Sequence, residues 1–351
     1  MRYCILHIGT TKTGSSSIQQ TLYMNRKRLA EAGILYPTTL DHDDGTEAHH
    51  KLGASLRGGA KQNRLSGIAI SEFSKILRTS PADIVVISSE SLSNRRLQSE
   101  KLRDLVRLIT GNGFFLTAVV YIRAQPSLAN SAYGQGIKAF TFDGSFDDFI
   151  NIRIARRSWY VGERLAVWLD QPNIQFIAVP FIPENTGIDI AAKMLKLAGI
   201  PPARVDALDL EPAGYVNETP GPLAVAAFRL LANRPEFRDL LDEPSTRNAI
   251  REEGERRGWY RDRFVGLDDR RAARIRALFE EDNEAFARRC FDRPWHAIFA
   301  ADYERHWESN EIDLDMIAPE VKADLDDFLA TICAKLSPPN RPTSLTPLPS
   351  P

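Results

Sequence analysis

The segment His7-Ile8-Gly9-Thr10-Thr11-Lys12-Thr13-Gly14-Ser15-Ser16-Ser17-Ile18-Gln19 carries more structural information than any other part of the chain. It completes a short apolar run, Tyr3–Ile8, that stops at Gly9 and reads as a buried strand. Past the glycine- and hydroxyl-rich turn, Ile18, Leu22 and Leu29 recur at helical spacing. Strand, tight turn and helix in that order open an α/β domain. Gly9 and Gly14 let the backbone turn sharply and approach a ligand closely. A helix starting near Ser15 points unpaired N–H groups and its positive dipole end into the turn. The turn spans Lys12, Thr13 and Gly14; the Ser15, Ser16 and Ser17 hydroxyls are candidate donors to phosphate oxygens, and Lys12 adds a full positive charge. The alternative is a plain glycine turn with a serine N-cap and an exposed lysine.

Further apolar runs follow the same logic. Asp83–Ser88 and Phe114–Ile122 read as buried strands, with Leu102–Ile109 as a covering helix between them. Ser127–Lys138 reads as a helix, Ile174–Val179 as a fourth strand, and about 188–198 as the helix after it. Uniformly apolar strands separated by helices predict a three-layer α/β fold: a mostly parallel sheet, helices on both faces, P-loop-like. The polar stretch Asp41–Gly67 reads as a long loop with one short helix. From Leu223 onward the pattern is helical only, which adds a helical C-terminal part that we expect to pack on the same sheet. The expected division is an α/β domain over 1–300, mainly helical over 223–300, then a helical extension over 301–336. Ser337–Pro351, rich in proline and serine, is expected to be disordered.

Composition excludes several classes. The chain has 351 residues, 43% apolar and 26% charged, with a net charge of −1, so no bulk field draws it to nucleic acid or anionic membrane. Cys4, Cys290 and Cys333 are too few and scattered for a disulfide framework or zinc site. No apolar run is long enough for a membrane span. Tyr3–Ile8 lacks the flanks of a signal peptide, so a cytoplasmic location is expected.

Lys12 precedes Gly14, whereas a Walker A loop places its lysine after the second glycine. The order Lys-Thr-Gly-Ser-Ser resembles the 5′-phosphosulfate loop of sulfotransferases that use 3′-phosphoadenosine-5′-phosphosulfate (PAPS). That family has a second element: an arginine closing a later strand and a serine eight positions on, which together hold the 3′-phosphate. Here Arg123 closes Phe114–Ile122 and Ser131 stands eight residues later. Val216-Asn217-Glu218-Thr219 and Leu278–Phe291 are also similar to stretches of bacterial sulfotransferase-like proteins. The glycine-rich RKGxxG motif of the cytosolic branch has no counterpart.

The resemblance implies sulfuryl transfer from PAPS, leaving PAP, to a hydroxyl or amine of a small-molecule, glycan or lipid acceptor, without a metal. Lys12 would neutralise charge on the leaving phosphate. The candidate general bases are Glu90, His49 and His50, against the reading of Glu90 as a surface carboxylate and of the histidines as exposed loop residues. Trp159–Trp168, Trp259 and Tyr260 are candidates for the acceptor pocket or for plain packing. Two other readings stay open: a P-loop kinase or nucleotide triphosphatase, and a non-catalytic nucleotide-binding protein.

Overall fold

The structure is a computed structural model that describes residues 1–40, 47–57, 63–182, 190–211, 219–237 and 240–336. The Pro/Ser-rich tail, residues 216–218 and parts of the Asp41–Gly67 stretch lie outside the described residues.

The chain runs β1 (Arg2–Ile8), α1 (Ser15–Met24), α2 (Arg26–Glu31), β2 (Ile34–Leu35), α3 (His50–Ser55), α4 (Asn63–Thr79), β3 (Ile84–Ser89), α5 (Ser99–Gly111) and β4 (Phe114–Ile122). It continues through α6 (Gln125–Lys138), α7 (Phe146–Ala155), α8 (Val161–Leu169), β5 (Gln175–Pro180), α9 (Ile190–Leu197) and α10 (Pro202–Asp206). The remaining helices are α11 (Pro222–Ala232), α12 (Pro244–Arg256), α13 (Asp269–Cys290), α14 (Trp295–Ile298), α15 (Ala300–Glu304) and α16 (Pro319–Leu336). These elements form two compact units that alternate along the chain. The first comprises Met1–Ala124, Trp159–Tyr215 and Phe279–Tyr303; the second comprises Gln125–Ser158, Val216–Leu278 and Glu304–Pro351.

The first unit holds a five-stranded sheet in the order β2-β3-β1-β4-β5, parallel throughout. Side chains alternate across a strand, so each strand feeds two cores. Cys4, Leu6 and Ile8 of β1, with Val85, Ile87, Leu116, Ala118 and Val120, pack against α4, α5 and α8. Ile5, Val86, Val119 and Tyr121 pack on the other face against α1, α2 and α9. Crossovers of one hand put helices on opposite faces when the chain moves in opposite directions along the sheet. It moves one way from β1 to β2 and the other way from β3 to β4 and β5. The connections after β1 and β4 therefore part company, which leaves a crevice at the carboxyl ends of these strands.

The sheet has one strand more than expected. β2 is two residues long, pairing Ile34 with Ile84 and Leu35 with Val85, too short for any periodicity. The stretch read as a loop to Gly67 contains the start of α4, whose Phe73 and Leu77 are fully buried. Of the helical C-terminal part, the segment Phe279–Tyr303 packs on the sheet through Phe286, Ala287, Trp295 and Phe299. Residues 219–237, 240–278 and 304–336 belong instead to the second unit. Among the described residues no helix is long and apolar enough to cross a membrane.

The second unit is helical, with Tyr133 at its centre: the ring lies 5.2 Å from both Phe146 and Phe264. An ionic cluster ties α12 to α16. Glu253, 1% exposed, accepts from Arg256 at 2.5 Å, Arg257 at 2.8 Å and Lys335 at 3.0 Å. Arg257 also reaches Asp324 and Asp327. Arg256 foremost holds the Glu253 carboxyl down to about 2. Glu253→Gln removes the buried carboxylate shared by Arg256, Arg257 and Lys335 and should cost about 3 kcal/mol, the scale for breaking a buried pair. A carboxylate depressed in the fold contributes fully above its unfolded pKa, and that contribution is lost as pH falls toward its folded one. Chemical unfolding should thus show the wild type's advantage over Glu253→Gln shrinking below pH 4.5; a pH-independent gap refutes the assignment.

Candidate functional site

β1 is the middle strand, and its ladder to β3 continues into the loop through Gly9 N–H donating to the Ser89 carbonyl at 3.0 Å. The loop is then clamped from inside. The Thr10 hydroxyl donates to the Tyr121 carbonyl of β4 at 2.6 Å. The Thr13 hydroxyl donates to the Thr10 carbonyl at 2.8 Å, and the Ser15 hydroxyl to the same oxygen at 3.2 Å. Thr13 and Ser15 are buried, so these protons serve the loop's own shape and are not aimed at a ligand, contrary to the sequence expectation for Ser15. Ser16 is exposed and Ser17 half-buried, which leaves those two hydroxyls accessible.

Two residues take left-handed backbone: Lys12 at φ 61° and Gly14 at φ 80°. The φ of Gly14 is what favours glycine there; a Cβ would also lie 2.9 Å from Ile190 Cδ1 and 3.2 Å from Phe181 Cε2, side-chain ends that can give way. A non-glycine residue in that region is uncommon and strained, and persists only where the surroundings over-determine it. Gly14 is also the residue from which α1 starts. No side chain caps this helix and no acid stands in its first turn. Its positive end is therefore offset by no acid of its own first turn. By contrast, α7 is closed by a Ser145–Asp148 capping box.

The structure brings Arg123 of the second motif to the loop. Arg123, just past β4, donates from NH1 to the Lys12 carbonyl at 3.1 Å across 111 residues of sequence. Its guanidinium lies over the Phe181 ring at 5.6 Å. Gly9, Lys12, Thr13, Gly14, Ser15, Ser16, Ser17 and Arg123 thus gather at the carboxyl ends of β1 and β4. Ser131 is half-buried on α6, in the second unit.

Glu90 opens the 3-10 turn Glu90–Ser93 that follows β3. Its residue surface is solvent-exposed, though protein surrounds the carboxyl closely enough to affect its charge. Burial raises its pKa, while the charges of Arg164 and Lys12 oppose that rise. Lys12 and Glu90 are therefore electrostatic neighbours.

The two loop histidines differ from the exposed pair expected. His49 is fully buried. Its Nε2 lies 2.6 Å from the Pro37 carbonyl, and its Nδ1 accepts the Ser88 N–H at 2.9 Å. That pattern requires the neutral ring with the proton on Nε2. Burial lowers its pKa to about 4. His49 is a latch between the segment before α3 and the end of β3, with neither nitrogen available to an acceptor. His50 is half-buried with Nδ1 3.0 Å from the Ser89 hydroxyl, one residue from Glu90. His7 lies fully buried beneath the loop, 2.7 Å from the Ser88 hydroxyl through Nδ1.

Sequence reasoning passed over Thr10, Ser93, Phe181 and Arg164, since a threonine, a serine, a phenylalanine and a helical arginine carry no motif of their own. The tryptophans proposed for an acceptor pocket are core residues. Trp168 is fully buried, donating to the Leu92 carbonyl at 2.8 Å. Trp159 stacks near Phe279, and Trp259 packs on Phe328 in the second unit. Among the described residues no cluster of His, Cys, Asp or Glu is arranged to hold a metal ion.

His7 and His49 make acid stability a test of this arrangement. Burial lowers their folded pKa values to about 3 and about 4 from 6.5. The unfolded chain therefore binds more protons as pH falls through 6.5, and stability is lost from there down toward pH 4 at about 1.4 kcal/mol per unit per histidine. Urea unfolding of His49→Gln at pH 7 and pH 5 should show about one histidine's share of that slope removed; an unchanged slope would mean His49 is not buried neutral. Compared with known proteins, the chain matches no family model, no curated protein and no solved structure.

Proposed function

We propose that this chain binds PAPS at the carboxyl ends of β1 and β4 and transfers its sulfuryl group to a hydroxyl or amine of a small-molecule, glycan or lipid acceptor. The observation that carries the reading is the bond from Arg123 to the Lys12 carbonyl. It puts the two phosphate-binding candidates, far apart in sequence, at one sheet edge, as a nucleotide with phosphates at both ends requires. The uncapped start of α1 with no acid in its first turn supports an anion there. The glycine at 14 and the exposed Ser16 support close approach of that anion to the backbone.

The nucleotide supplies an activated sulfur: a bond forms from the acceptor oxygen or nitrogen to sulfur as the bond to the leaving phosphate oxygen breaks. The chain's own residues do the rest. Lys12 and the α1 N–H groups stabilise charge growing on the leaving phosphate. Arg123, with its planar fork, suits the 3′-phosphate. Glu90 takes the acceptor's proton, since a raised pKa suits a general base near neutrality. His50 stands next in line, and His49 drops out because both its nitrogens are engaged.

Calorimetry with PAP, PAPS, AMP and ATP, with and without magnesium, tests the nucleotide. PAP should bind tightest; magnesium-dependent ATP binding with no response to PAP would favour a kinase-like reading instead. Arg123→Ala should weaken PAP at least tenfold more than AMP; equal losses would show that Arg123 does not read the 3′-phosphate. Lys12→Ala should lower kcat by about 10²-fold or more, the scale for removing one charge-stabilising donor, with the circular dichroism spectrum unchanged. Retention of most activity would remove Lys12 from the chemistry.

A further inference from the structure

Arg164 of α8 donates from Nε to the Ser93 carbonyl at 2.6 Å and from NH2 to the Ser93 hydroxyl at 2.7 Å. A guanidinium can only donate, so the Ser93 oxygen accepts and its single proton points elsewhere. It faces the Gly9 carbonyl at 2.6 Å, with the Glu90 carbonyl at 2.9 Å sharing it. The hydrogen bonds therefore run in one direction, from α8 through the 3-10 turn into the first residue of the loop. The turn and the loop also touch: a Cβ on Gly9 would come within 2.8 Å of Glu90 Cγ and 3.1 Å of its Cα. Glu90 and Ser93 are the two ends of one short turn, so a group that fixes Ser93 also fixes where Glu90 begins.

We propose that Arg164 is a positioning residue of this site: through Ser93 it holds the Glu90 turn and the Gly9 end of the loop as one unit. The inference rests on the reading of Glu90 as the proton acceptor in the transfer. Arg164 also acts on Glu90 by charge. Burial raises the Glu90 pKa, and the two charges opposing it come from different elements: Arg164 on α8 and Lys12 in the loop. From α3, His50 approaches the adjacent Ser89 hydroxyl. The same guanidinium thus fixes the base in place and opposes the rise that burial brings to its pKa.

Two roles call for two readouts on the full chain. The Glu90 carboxyl can be titrated by ¹³C NMR, its signal assigned by its loss in Glu90→Gln. Arg164→Met should move the midpoint up by about one pH unit, the scale for removing one interacting charge in a partly solvated site. Arg164→Lys should bring it back close to wild type. Ser93→Ala, which keeps the charge and cuts the link to Gly9, should leave the midpoint in place and weaken PAP about fivefold, the scale of one lost hydrogen bond. An unmoved midpoint in folded Arg164→Met overturns the electrostatic role. Should that variant not fold, unchanged PAP affinity in both Arg164→Lys and Ser93→Ala overturns the positioning role. If the wild type itself binds no PAP, the nucleotide reading falls, and the Glu90 titration still decides the part played by Arg164.

Discussion

The hydroxyl of Thr10 on the carbonyl of Tyr121 joins the loop after β1 to the neighbouring strand, and the site's geometry follows from that junction. β1 is flanked by β3 and β4, so its end cannot move without dragging both. Gly9 is tied to Ser89 on one side and Thr10 to Tyr121 on the other. Between those ties and the start of α1 lie only a few residues. They close the gap by taking left-handed backbone at Lys12 and Gly14. A non-glycine residue in that conformation costs roughly 1–2 kcal/mol. It is held here by the Arg123 bond to the Lys12 carbonyl and by the Thr13 and Ser15 bonds to the Thr10 carbonyl.

Electrostatics of the crevice follow from the same geometry. The uncapped start of α1, Lys12 and Arg123 contribute positive charge or dipole at the ends of β1 and β4. Glu90 is the acid drawn into this field, and its behaviour is a contest between packing, which favours the neutral form, and Arg164 and Lys12, which favour the carboxylate. These opposed influences meet on one carboxyl at a switch point of the parallel sheet.

Much of the architecture was legible because strands covered on both faces are apolar without interruption. Tyr3–Ile8, Asp83–Ser88, Phe114–Ile122 and Ile174–Val179 all stand within a residue or two of observed strands. β2 escaped because two residues define no period, and its pairing with Ile84 and Val85 is a long-range event. α4 was obscured by the polar stretch leading into it. Trp159 and Trp168 were ambiguous because size and aromaticity suit a pocket and a core equally, and only burial separates the two.

The amino-acid order alone determined the strand–loop–helix at residues 2–24, because that unit depends on neighbours in sequence; Lys12 and Arg123, 111 residues apart, were linked in sequence only by a family resemblance. Tertiary structure alone decided which hydroxyls stay accessible and which hold the loop. It turned Thr13 and Ser15 inward, made His49 a latch by burying it against Pro37 and Ser88, and brought Arg164 to Ser93 across 71 residues. A hydrogen-bonding group has no fixed role until its partner is within about 3 Å, and for these residues folding, not spacing along the chain, supplies that partner.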